Sequence, residues 1–194
     1  MTTTLTKIYP GMLDSDFEFF KADDGVKIIS SGTITAFNEI STCAYQLLKE
    51  KVSLDKPALK ILNQWYPDSE LQQLEKFTEC RFGGLDFTPD ISNNQLQDGE
   101  YWECPFRGQC IGEGKVCRSL KFKDQELNAQ EIELMKLLSG TATNDVIADI
   151  LEVSLGLFHK IKQKLYAKLH VQTKQEVALI AMSLNLVQTI SAQA

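Results

Sequence analysis

Leu127-Asn-Ala-Gln-Glu131-Ile-Glu-Leu-Met-Lys-Leu-Leu138 is followed by Ser139-Gly-Thr-Ala-Thr143-Asn-Asp-Val-Ile147-Ala-Asp-Ile-Leu151 and then by Glu152-Val-Ser154. Leu155-Gly-Leu-Phe158-His-Lys-Ile161-Lys-Gln-Lys-Leu165-Tyr-Ala-Lys-Leu169 continues into Thr173-Lys-Gln-Glu176 and a last apolar stretch through Ala181. Asn128 with Glu131, and Thr173 with Glu176, have the spacing of capping boxes, in which two side chains satisfy the orphan N–H groups of a helix start. Thr143 and Ser154 stand as N-caps of two further helices. Apolar residues recur at helical spacing in each segment: Leu134, Leu137 and Leu138; Val146, Ile147, Ile150 and Leu151; Phe158, Ile161, Leu165 and Leu169. Only Glu152 and Val153 separate Leu151 from Ser154, the tight turn that a helix-turn-helix requires. Four short helices therefore enclose one small core.

The third of these helices is chemically distinct. Between Ser154 and Lys174 stand Lys160, Lys162, Lys164, Lys168, His159 and His170, with no Asp or Glu, on a chain of formal net charge −6. Lysines beside a duplex neutralise phosphates and release counterions. His159, Lys160 and Gln163 lie within one turn of each other near the helix start, where side chains reach base edges in the major groove. The expected DNA-contacting set is Thr143, Asn144, Ser154, His159, Lys160, Lys162, Gln163, Lys164 and Lys168. An ordinary solvated helix face is the plainer alternative for the lysines; the missing acidic partners favour DNA.

Residues 127–176 resemble the LuxR/GerE-type helix-turn-helix domain. Positions that match include Leu127, Glu131, Glu133, Leu137, Asn144, Ile147, Ala148, Leu151, Ser154, Lys168, Leu169, Val171 and Glu176. The resemblance implies a recognition helix over about 154–169, a fourth helix used for homodimerisation, and inverted-repeat double-stranded DNA as partner. The chain departs from the family at Leu157-Phe158, Ile161, Asp145 and Gly140. Asp145 suits a helix N-terminus but repels a nearby phosphate. These departures sustain a second reading: a protein-interaction adaptor with a metal-stapled domain and a degenerate helical module, for example one touching RNA polymerase or another regulator, or a related fragment similar to sigma region 4.

Working outward, 194 residues with 43% hydrophobic and 24% charged side chains are the composition of a globular protein. No window approaches the roughly 18 apolar residues of a membrane span, and Met1-Thr-Thr-Thr-Leu-Thr-Lys7 lacks a signal-peptide pattern. A cytoplasmic location is expected. Residues 1–126 hold 14 Lys and Arg against 20 Asp and Glu, whereas residues 127–194 hold 6 of each. The acidic part is a poor DNA surface and suits regulation. The expected architecture is α+β: a mixed N-terminal regulatory domain over 1–120, a charged linker over 121–126, and the helix-turn-helix domain over 127–194.

Within the first part, Phe17, Phe19 and Phe20 indicate a buried segment, and Asp23-Asp24-Gly25 an exposed turn. Val26 to Phe37, with its Ser30-Ser-Gly32 turn, reads as a β-hairpin. Helices follow from Ser41 or Thr42, from Pro57, and from Asp68 or Ser69, the last with Leu71, Leu74 and Phe77 or Thr78 on one face. Residues 80–117 then lose helical periodicity and bring Cys80, Cys104, Cys110 and Cys117 among Pro and Gly. In a cytosolic protein such clustering points to metal sooner than to disulfides. Four thiolates suit tetrahedral zinc, with an iron–sulfur cluster as the alternative. Cys43 reads as a core thiol. This Cys-containing part is similar to that of uncharacterised LuxR-type regulators from Bacteroidetes, which assigns no activity. No phosphate-binding glycine loop is present, and both histidines lie in the helix-turn-helix part, away from the cysteines. No catalysis is expected.

Overall fold

A computed structural model describes residues 8–102, 104–184 and 186–187. Among these residues the chain is mixed α+β, with seven α-helices, a three-stranded antiparallel sheet and two short β-hairpins. It divides into two compact units, Met1–Arg118 and Ser119–Ala194.

The first unit begins with a meander of β1 (Glu18–Ala22), β2 (Gly25–Ser30) and β3 (Thr33–Ala36). Asp23 and Asp24 form the exposed first turn. Ser31 and Gly32 form the second at φ 50° and 75°, the left-handed pair that matches strand twist in a two-residue hairpin. β1 is the strand that the sequence leaves hidden, because Glu18 and Phe19 are both buried and the usual in–out alternation fails. Helices α1 (Thr42–Leu54), α2 (Lys56–Trp65) and α3 (Glu70–Phe82) follow, capped by Ser41, Asp55 and Ser69. The core joins Phe19, Val26 and Phe37 to Leu48, Leu62, Leu74, Phe77 and Phe82. Leu71, expected on the buried face of α3, is exposed; Gln73 is buried instead, donating to Asn63 Oδ1 and to the Tyr66 carbonyl. Beyond α3, Ile91–Ser92 (β4) and Gln95–Leu96 (β5) pair through an Asn93-Asn94 turn at φ 52° and 59°.

The glycine- and cysteine-rich segment is held by Arg81. This side chain is buried, and its Nη2 makes a 2.6 Å ion pair with Asp55, the α2 cap. Nη2 also donates to the Lys115 carbonyl at 3.2 Å, and Nε donates to the Val116 carbonyl. A guanidinium has donors enough to bind one carboxylate and two carbonyls together, which lysine cannot match in a fixed plane. A side chain at Gly112 would collide with the Trp65 ring, so the 110–117 turn lies directly on α2.

The second unit opens with a hairpin. Residues 121–126, expected as a linker, form β6 (Lys121–Phe122) and β7 (Gln125–Glu126), with Lys123 and Asp124 at φ 46° and 64°. No glycine announces this turn. Helices α4 (Ala129–Ser139), α5 (Asn144–Ile150), α6 (Leu155–Leu169) and α7 (Lys174–Ser183) complete the unit. Both capping boxes form, Asn128 with Glu131 and Thr173 with Glu176. α4 packs on α7 and α5 on α6; Leu134, Met135, Leu138, Ile147, Phe158 and Leu165 are buried. Among the described residues, no helix is long and apolar enough to cross a membrane.

Candidate nucleic-acid interface and thiol cluster

The turn between α5 and α6 is fixed by main-chain bonds. Glu152 N donates to the Asp149 carbonyl and Val153 N to the Ala148 carbonyl, both at 3.0 Å, with Glu152 at φ 53°. This is a Schellman closure with glutamate in the left-handed position usually given to glycine. The Ser154 hydroxyl then accepts from Leu157 N at 3.3 Å and starts α6. Thr143 caps α5 in the same way, accepting from Val146 N. The hydroxyls of Thr143 and Ser154, expected at DNA, are therefore engaged in capping. Asn144 is half-buried, and its Oδ1 is buried without a hydrogen-bond partner among the described residues.

Helix α6 sorts its residues by face. Phe158, Leu165 and Leu169 are buried, whereas His159, Lys160, Gln163 and Lys164 are exposed. These four positions lie three to five residues apart or are adjacent, so they share the outward side of the second and third turns. The His159 ring leans on Phe158 with centroids 5.6 Å apart. The Lys162 ammonium, half-buried, sits 5.5 Å from the Phe158 ring centre and 5.8 Å from that of Tyr166.

Lys168 has a partner on another helix. Its Nζ lies 2.6 Å from Glu131 Oε2, in an ion pair that is mostly shielded from solvent. Glu131 also accepts from Asn128 N in the α4 capping box. Lys168 thus ties α6 to α4, so the basic helix does have an acidic partner; it comes from 37 residues away and is invisible in the local sequence. Lys174 likewise turns inward, donating to the Ala142 carbonyl at 2.7 Å.

The four expected metal ligands belong to the first unit. All are free thiols and half-buried. Cys80 sits on α3 next to Arg81, whose side chain grips the Lys115–Val116 main chain just before Cys117. Cys104 follows Trp102, whose ring lies where a Gly83 side chain would be. The end of α3 therefore gathers Cys80, Cys104 and Cys117. Burial pushes the Cys80 thiol up to about 12; Lys76 opposes this, while Glu79, Cys117 and Cys104 add to it. Cys110 Sγ accepts from Gly112 N at 3.3 Å, inside its own turn. Among the described residues, no three Cys, His, Asp or Glu side chains stand in an arrangement that could hold a metal ion. Cys43, expected in the core, is exposed and faces Asn94 Oδ1 at 2.6 Å.

Two sets of side chains escape a reading of the sequence: Arg81, and a group of buried carboxylates in the same unit. Their partners lie tens of residues away, and no local pattern signals them. No protein-family model, no curated protein and no solved structure matches this chain at a significant level.

Proposed function

We propose that this chain is a DNA-binding regulator of the LuxR/GerE type in which α6 enters the major groove. The observation that carries the reading is the exposed His159–Lys160–Gln163–Lys164 face, which holds no acidic residue and follows a tight, capped turn. Lys160 and Lys164 supply phosphate neutralisation, and His159 and Gln163 supply donors and acceptors for base edges. Leu179 and Met182 are exposed on α7 and support a homodimer through that helix. The first unit serves as the regulatory part, and RNA polymerase is a further contact of the DNA-bound protein in the cytoplasm. The placement of Cys80, Cys104 and Cys117 about the end of α3 is what supports zinc, or an iron–sulfur cluster, as a ligand of the four thiols Cys80, Cys104, Cys110 and Cys117. Metal analysis of protein purified without oxygen checks this: one equivalent, lost in Cys104→Ser, is expected; no metal contradicts it.

A mixed-sequence duplex at low salt, titrated with the full chain and followed by fluorescence anisotropy, tests the DNA reading. Replacing Lys160, Lys162, Gln163 and Lys164 by Ala together should abolish binding while leaving the helical circular dichroism unchanged. Equal affinity in the fourfold variant would exclude α6 as the reading helix.

A second reading has its own observation. Val146 and Ile150 on α5, and Leu155 and Leu157 at the start of α6, are about half exposed. Apolar side chains beside the basic face, together with Asp145, suit a protein partner better than phosphate. Stoichiometric capture of a protein by a chain that fails to bind duplex would favour this adaptor role.

A further inference from the structure

Two leucines and a glycine begin α6, and the phosphate and polar base-edge contacts assigned to that helix use none of them. Leu155 is 42% exposed and Leu157 47%. Gly156 is exposed between them, and a side chain placed there would meet no protein atom within 4 Å. The Ser154 hydroxyl already completes the cap by accepting from Leu157 N, so the two leucine side chains take no part in starting the helix.

Helical periodicity fixes where the three residues stand. Phe158 and Leu165 face the core. At about 3.6 residues per turn, Gly156 lies nearly opposite Phe158. Lys160 and Gln163 follow Gly156 at i+4 and i+7, on one outward line. Leu155 and Leu157 flank that line, the first beside His159 and the second beside Lys160. The outermost part of the helix start is therefore bare main chain with an aliphatic side chain on each shoulder.

Glycine weakens a helix relative to alanine, so its place here asks for a reason. Crowding does not supply one, because the space is open. Conformation does not either, because the backbone at Gly156 is ordinary right-handed helix. Glycine also serves where a ligand must approach the main chain closely. The neighbouring side chains say which ligand. Lys160 and Lys164 are exposed on a helix without an acidic residue, and so attract a polyanion. In the major groove of a duplex, base edges offer donors, acceptors and one apolar group, the C5-methyl of thymine. Leucine against a purine N7 strips water from an acceptor and returns no donor. Leucine against the methyl removes apolar surface from water without that loss.

We propose that Leu155 and Leu157 seat thymine methyl groups on the floor of the major groove, with Gly156 as the point of closest approach. The start of α6 then selects T·A pairs, a preference added to the hydrogen-bonded edges read by His159 and Gln163 one turn further on. The inference rests on α6 being a DNA-reading helix and names bases that it prefers.

The test enriches duplexes from a randomised pool with the full chain. The enriched duplex is then remade with each thymine replaced in turn by deoxyuridine, which lacks only the methyl. T·A pairs should recur at fixed positions, and loss of a contacted methyl should weaken binding about fourfold. Leu155→Ala and Leu157→Ala should each bind thymine and deoxyuridine equally at the position they contact. Gly156→Ala should melt no lower than the parent yet bind the enriched duplex roughly tenfold more weakly. A glycine with a purely structural role would not give that combination. Deoxyuridine duplexes bound as tightly as thymine duplexes would overturn the proposal and leave the DNA reading standing. So would undiminished duplex affinity in Gly156→Ala. No enrichment from the pool would overturn the DNA reading and this inference together.

Discussion

The two units treat charge in opposite ways. Met1–Arg118 buries Glu18, Gln73, Thr78, Arg81, Asp86 and Asp90, whereas the buried side chains described in Ser119–Ala194 are all apolar. The second unit resembles a scaffold: a small apolar core with charges left outside, where they meet a partner at little desolvation cost. The first unit encloses ionisable groups whose state depends on protons or on an internal ion pair. Buried ionisable groups are expensive to retain, and so mark places where a ligand or a pH change has leverage. The difference separates a unit that leaves its charges on the surface from one that keeps several inside.

Arg81→Ala offers the strongest way to break the contrast. It leaves Asp55 without its cation and the Lys115 and Val116 carbonyls without donors, and should cost about 3 kcal/mol or more in urea unfolding. Arg81→Lys should recover little, because an ammonium cannot serve all three acceptors in one plane. A loss below about 0.5 kcal/mol would show that the thiol segment is held by other means.

The response to pH comes next in size. Glu18 and Glu100 have carboxyl groups raised from an ordinary 4.5 to about 8 and about 10, and burial is the leading cause for both. The folded unit therefore binds protons that the unfolded chain has released. Its stability is fully present below about pH 4.5 and declines as pH rises through about 8 and on towards 10. Melting temperatures should fall steadily over that range, and Glu18→Gln should flatten the curve. A stability that rises with pH there would contradict the burial of protonated carboxyls.

Lys168→Met sharpens the contrast from the other side. Removing the shielded ion pair with Glu131 should cost the second unit about 1 kcal/mol and leave duplex affinity nearly unchanged. Weak folding effects together with a large loss of DNA binding would return Lys168 to the interface.

What was legible in the sequence follows the range of the interactions. Both capping boxes, the caps at Thr143 and Ser154, and the Ser31-Gly32 turn depend on residues within four positions of one another, and all appear where their spacing places them. The Lys168–Glu131 ion pair is not legible locally, because Glu131 belongs to another helix. β1 stayed hidden because a buried glutamate breaks the strand alternation that hydropathy reads. The 121–126 hairpin turns on Lys123 and Asp124 in left-handed backbone, a conformation that composition does not signal. Arg81 and the carboxylates are brought together only by tertiary packing, with partners 16 to 71 residues apart.

The most direct test of the central claim, that α6 is a DNA-reading helix, is the salt dependence of duplex binding by the full chain and by Lys160→Ala and Lys164→Ala. Each lysine that neutralises a phosphate should contribute about one unit to the slope of log affinity against log salt, so each variant should flatten it by about that amount. Slopes identical to the parent in both variants, or no duplex binding at low salt, would contradict the account and favour the protein-binding role of the apolar residues beside that face.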